Sequence, residues 1–131
     1  MRVVALERWA ELNVARQLEL RCDGGCGLGS LAGELAGTDA ETRADLAAGF
    51  TRWEALLRDG LQATRDRGDL RPDADPAQLA TGLLASLQGG LLLTQTTREI
   101  RHVQAAFDTA LGHIHSYATP AAAARTEAAS A

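Results

Sequence analysis

Apolar positions recur at helical spacing along most of the chain, and no apolar/polar alternation runs long enough for a strand. Five helical segments follow from this pattern. The third is the clearest. Leu46, Phe50, Trp53, Leu57 and Leu61 fall at i, i+4, i+7, i+11 and i+15, one unbroken stripe on a helix running from Thr38 or Asp39 to about Arg67. Thr38 with Glu41 three residues later reads as a capping box, and Gly68 stops the helix. The first segment spans about Arg2 to Leu20. It sets Val3, Leu6, Trp9 and Leu12 against a polar face of Glu7, Arg8, Glu11 and Arg16. Residues 21–29 hold four glycines in nine positions and break it. The short second segment, about Ser30 to Ala36, takes Ser30 as N-cap, carries Leu31 and Leu35 on one face and ends at Gly37.

Asp75 as N-cap and Pro76 in the first turn start the fourth segment, which runs to about Thr97. Leu79, Leu83, Leu87 and Leu91 line one face; Gly82, Ser86 and Gly90 line another at a spacing of four. A helix apolar on more than one face is buried on more than one side, and a face of small residues predicts a second helix close by. The fifth segment, about Glu99 to Tyr117, aligns Ile100, Val103, Phe107, Leu111 and Ile114. Beyond it, residues 118–131 are Ala-rich with no large apolar anchor, and we expect them to be disordered. The expectation is an all-α domain over residues 1–117. Segments four and five carry more apolar surface than one neighbour covers, so a two-fold dimer through a four-helix bundle would bury the surplus. On periodicity alone, segments one and three could instead cover both faces.

Composition narrows the function. With 131 residues, 46% of them hydrophobic but only 4% aromatic, the chain is one domain whose core is built mainly from Leu and Ala. All 13 basic residues are Arg, and the net charge of -4 gives the chain no basic surface with which to grip a nucleic-acid backbone. The apolar stretch Leu79 to Leu93 is interrupted by Thr81, Ser86 and Gln88 and falls short of the roughly 20 residues a bilayer span takes. Glu7, Arg8 and Glu11 break any signal-peptide core, so a cytoplasmic setting without membrane contact is expected.

Little of the chain points to reactive chemistry. Cys22 and Cys26 read as half a metal site or redox pair, or simply as a loop thiol and a small half-buried residue. The C-x3-C spacing is unusual for zinc and no second Cys/His pair lies nearby, which favours the latter. His113 and His115, two apart on a helix, point in nearly opposite directions and do not share a metal. No nucleophile elbow, metalloprotease motif or phosphate loop occurs. We therefore expect no enzyme, no cofactor and no metal. Trp9 and Trp53, with Asn13 and Gln88 close to their stripes, either fill the core or wall an apolar pocket with a few polar groups, as small-molecule sites do.

Four stretches, in this order and spacing, resemble one family: Gly25-Cys26-Gly27-Leu28-Gly29-Ser30-Leu31-Ala32-Gly33-Glu34-Leu35-Ala36, Phe50-Thr51-Arg52-Trp53-Glu54, Gly68-Asp69-Leu70-Arg71-Pro72-Asp73-Ala74-Asp75-Pro76 and Leu84-Ala85-Ser86-Leu87-Gln88-Gly89-Gly90-Leu91-Leu92-Leu93. They look like the C-terminal, ligand-binding and dimerisation domain of TetR-family transcriptional regulators, over about residues 1 to 117. Gly27 departs from the Pro usual in the branch that the first stretch resembles most. The resemblance implies a homodimer joined by the last two long helices, and a small hydrophobic effector held within each protomer. By matching segment it implies a pocket of Trp9, Leu12, Leu31, Phe50, Trp53, Leu57, Leu84, Leu87 and Gln88. It implies an interface of Gly82, Ser86, Gly90, Leu93, Val103, Phe107, Ala110 and Ile114. The family reads DNA through an N-terminal helix-turn-helix, to which no stretch of this chain corresponds. The function implied is the effector-binding and dimerisation part of a repressor whose DNA binding is supplied by a domain absent from this chain. The alternative is a stand-alone helical dimer that binds a small molecule or a partner protein and no DNA.

Overall fold

The computed structural model describes residues 3–130, leaving outside it Arg2, the expected first position of the first helix, and Ala131, the last of the tail. Six helices follow one another: α1 (Val3–Glu19), α2 (Gly27–Leu35), α3 (Ala40–Asp66), α4 (Pro76–Thr97), α5 (Arg101–His115) and α6 (Pro120–Ser130). The helix starts follow from side chains that accept from free first-turn N–H groups. At α3 it is Asp39, not Thr38, that caps, with Oδ1 taking the Thr42 N–H at 2.7 Å. The Thr38 hydroxyl instead donates to the Leu35 carbonyl at 2.6 Å. At α4 the Asp75 cap with Pro76 in the first turn is as the sequence predicts. α2 starts earlier than expected, because Cys26 rather than Ser30 caps it.

α4 is the centre of the fold. It packs along α5 on one side and α3 on another, while α2 lies over the N-terminal part of α3 and α1 lies on α5. Leu79, Leu83, Leu84, Leu87 and Leu91 of α4 meet Leu57 and Leu61 of α3, Val103, Phe107, Leu111 and Ile114 of α5, and Leu6 and Ala10 of α1 in one core. The closeness of α4 and α5 rests on Gly90. A Cβ built there would lie 2.6 Å from Ala106 Cβ and 3.0 Å from Val103 Cα. Thr94, wholly buried, fixes the register: its Oγ1 accepts the Val103 N–H at 3.0 Å, satisfying a donor in the first turn of α5, where Ile100 offers no capping side chain.

Two expectations are corrected here. α4 is longer than the stretch Leu79 to Leu93. It has 22 residues and is apolar enough in length and composition to cross a membrane; 44% of that window is buried inside the fold, and Leu79, Leu83, Leu87 and Leu91 belong to the core. The tail is helical as α6, up to Ser130. Ala-rich segments favour helix intrinsically, Thr119 Oγ1 accepts the Ala122 N–H at 3.3 Å, and Arg125 pairs with Asp69. The connection before α6 is also tied down. Leu70 and Ala118 form an antiparallel bridge. The Arg71 N–H donates to Tyr117 O at 2.8 Å, Thr119 N–H donates to Asp69 O at 3.0 Å, and the Arg71 guanidinium lies 5.0 Å from the centre of the Tyr117 ring. These contacts join the α3–α4 loop to the α5–α6 link, at the N-terminal end of α4.

Candidate functional site

The opposite end of α4 borders a cavity of about 780 Å³ between α2 and α4, with Phe50 of α3 at its side. The glycine-rich loop shapes its wall. Gly25 holds φ +56, a left-handed conformation that suits glycine. A Cβ at Gly25 would lie 2.3 Å from Gln95 Oε1, and one at Gly29 would lie 2.4 Å from Gln88 Oε1. The two α4 glutamines therefore lie against the loop where side chains are missing. Cys26 Sγ accepts the Gly29 N–H at the start of α2 and the Gln88 amide N–H, each at 3.5 Å. Ser30 Oγ donates to Gln95 Oε1 at 3.5 Å. Phe50, Leu91, Leu92 and Ala32 supply apolar wall. Glu34 and Arg98 also line the cavity, and Arg98 is held to Asp23 of the loop at 2.5 Å. Arg98 itself ends α4 in the left-handed region, with φ 62.

Of the pocket residues expected from sequence, the structure brings Phe50 and Gln88 to this cavity. Leu57, Leu84 and Leu87 are buried in the core. Trp53 packs against that core, and Trp9 meets the Phe107 ring edge-on at 5.4 Å between centroids. Leu12 and Leu31 are about half exposed, at 52% and 48%, outside the cavity. The reason is positional: the cavity belongs to α2 and the C-terminal half of α4, whereas α1, with Trp9 and Leu12, lies on α5. Sequence reading missed Cys26, Ser30 and Gln95. The available signal was the seven-residue spacing of Gln88 and Gln95 on a helix without charged residues, opposite two glycines four apart.

The expected interface residues also divide. Gly82 and Leu93 are exposed and Ser86 is half-buried on α4. Gly90, Val103, Phe107, Ala110 and Ile114 are buried within the single chain, between α4 and its neighbours. A spacing of four advances about 40° around a helix each time. The stripe begun at Gly82 has therefore rotated inward by Gly90. The small residues that stay outward are Gly82, Ala85 and Gly89, followed by Leu92 and Leu93.

Other candidates have ordinary surroundings. Cys22 and Cys26 are free, the former buried. His113 stacks edge-on with Tyr117 at 5.5 Å, and His115 Nε2 lies 3.2 Å from Glu7 Oε1, linking α5 to α1. A second hollow, about 610 Å³ between α1 and α5, is walled by Glu7, Glu11 and Asp108 alongside Val14, Phe107 and Leu111. Among the described residues no three His, Cys, Asp or Glu side chains are grouped to hold a metal.

A family model described as "Tetracyclin repressor-like, C-terminal domain" matches residues 5–110. No curated protein and no solved structure matches the chain. The matched residues run from α1 into α5 and so include the cavity, both glutamines and the outward face of α4. The chain belongs to the tetracyclin repressor-like C-terminal domains, a family of transcriptional regulator domains rather than of enzymes.

Proposed function

We propose that this chain is the effector-binding and dimerisation part of a TetR-like transcriptional repressor that acts in the cytoplasm and carries out no catalysis. The observation that carries the reading is the cavity between α2 and α4, large enough for a drug-sized molecule and walled by Phe50, Leu91 and Leu92 with a few polar groups. A small, mainly apolar effector occupies it. Two copies pair through the outward faces of α4 and α5, where Gly82, Ser86 and Leu93 are joined by Ala85 and Gly89 on a helix with no charged residue. DNA is contacted only through a helix-turn-helix domain that is not among these residues. Effector binding favours one arrangement of the α2 end of the protomer, and the coupling between sites is about 1–3 kcal/mol, or roughly 5–150-fold in operator affinity. It works because two heads must meet half-sites about one helical turn apart.

Two substitutions at exposed positions test the two halves of the reading. Leu93→Arg adds charge to the outward face of α4 and should convert a dimer to a monomer in sedimentation equilibrium; an unchanged dimer removes α4 from the interface. Gly33→Phe adds a side chain where no atom lies within 4 Å, beside the cavity. It should abolish the fluorescence gain of N-phenyl-1-naphthylamine on binding. Unchanged binding would place the ligand elsewhere.

A further inference from the structure

The cavity's polar groups are two side-chain amides, and their bonding is incomplete. Gln88 gives its amide N–H to Cys26 Sγ at 3.5 Å, an ordinary distance to sulfur, and Gln95 takes the Ser30 hydroxyl on Oε1 at a long 3.5 Å. Among the described residues, Gln88 Oε1 and Gln95 Nε2 have no protein partner. Each is part of a half-buried side chain on the cavity wall. The cavity thus presents a free acceptor at Gln88 and free N–H donors at Gln95. Seven residues of helix set them on the order of 10 Å apart along α4. Between them lies the apolar wall of Leu91 and Leu92, with Phe50 across from it. The cavity's two charges do not favour an anion. Glu34 repels an anion, and Arg98 already has its counter-ion in Asp23.

From this arrangement we infer that the effector is an elongated molecule without an anionic group, with an apolar middle, a hydrogen-bond donor at the Gln88 end and a carbonyl-type acceptor at the Gln95 end. This rests on the cavity being the effector site. An amide carries both halves of a hydrogen bond and no charge, so it favours polar ligands over hydrocarbons of the same shape without calling for a charge. Groups built to hydrogen-bond a ligand lose more when the ligand leaves them unpaired than an apolar wall gains.

The test uses three probes of one shape on the chain: 6-hydroxy-2-naphthamide, naphthalene and 6-hydroxy-2-naphthoate, with affinities from isothermal titration calorimetry. The amide should bind about tenfold or more tighter than either of the others. Gln88→Met and Gln95→Met, which keep side-chain length, should each weaken the amide severalfold and leave naphthalene unchanged. The probe series needs no variant, so it stands even if one glutamine variant misfolds. Naphthalene binding as tightly as the amide overturns the inference while leaving the cavity as an effector site. Tighter binding of the naphthoate overturns it in favour of Arg98 releasing Asp23 to hold an anion. No binding of any probe overturns both the inference and the cavity's role.

Discussion

The packing of α4 on α5 makes one substitution change sign along a single helix. Gly82→Ala and Gly90→Ala are the same chemical change in α4. In a helix interior, alanine is about 1 kcal/mol better than glycine. At Gly82 no atom of the same chain lies within 4 Å of the added Cβ, so the variant keeps that gain when both substitutions are made in the Leu93→Arg background, where no second copy packs on this face. At Gly90 the added carbon would sit 2.6 Å from Ala106 Cβ, 3.0 Å from Val103 Cα and 3.2 Å from His102 O. Carbon atoms pack at about 3.5–4.0 Å, so α5 must retreat by roughly 1 Å. Two of the obstructing atoms are backbone and cannot rotate aside. A retreat of that size forfeits a quarter to a half of each contact made by Val103, Phe107 and Ile114. Overpacking costs about 1–3 kcal/mol, and a backbone obstacle places it at the upper end. Net of the propensity gain, Gly90→Ala should destabilise by about 2 kcal/mol while Gly82→Ala stabilises by up to about 1. The assay is urea unfolding followed by far-UV circular dichroism, with every variant at one protein concentration because a dimer's stability depends on it. In thermal unfolding followed by the same signal, the two variants' melting temperatures should separate by about 10 °C. If Gly90→Ala is as stable as the parent, the close approach of α4 and α5 described above is wrong.

Two further outcomes follow from single contacts. Thr94→Val keeps the shape of the side chain but removes the acceptor for the buried Val103 N–H; it should cost about 1–3 kcal/mol in the same urea assay, and a neutral result would mean the N–H finds another partner. Stability should also fall in acid. The Thr42 backbone N–H holds the Asp39 carboxyl below its usual range, the Arg71 hydrogen bond does so for Asp73, and the Arg101 hydrogen bond for Glu99. Groups depressed in the folded state add stability above the ordinary carboxylate range, and it is lost as pH falls through their lowered values. Asp39→Asn retains a cap but does not titrate, so its urea midpoint should fall less between pH 5 and about pH 2.5 than the parent's; an equal fall would remove Asp39 from the acid response.

The helices were legible because their stripes are regular. Leu57 and Leu61 close the α3 stripe in the core, and Asp75-Pro76 starts α4 where turn chemistry says it should. The stripe was less informative at its other end, where Leu46, Phe50 and Trp53 are only half-buried. Periodicity names a face but not how much of it a neighbour covers. Trp9 and Trp53 are the largest side chains on their stripes, yet both pack on the core and neither lines the cavity. The cavity instead lies where the glycine loop meets two glutamines, a juxtaposition of residues more than 60 positions apart that no local pattern encodes. No apolar stripe announces α6: the Ala-rich segment is helical through local propensity, its Thr119 cap and the Arg125–Asp69 pair.

The bridge between Leu70 and Ala118 has a mechanical consequence. It fastens the α3–α4 loop to the α5–α6 link beside the N-terminus of α4, while the cavity borders the helix's far half. The 22 residues of α4 form an arm of about 33 Å. Because Thr94 and Gly90 bind its far half to α5, such an arm tilts about a pivot near Pro76 only together with α5, and the displacement grows with distance from that pivot. A tilt of about 2° moves the Thr97 end by about 1 Å. The glycine loop and α2 would meet the full excursion, and the fastened loops almost none. The same lever works in reverse, so a force applied to α2 has its greatest mechanical advantage on α4 at the glutamines.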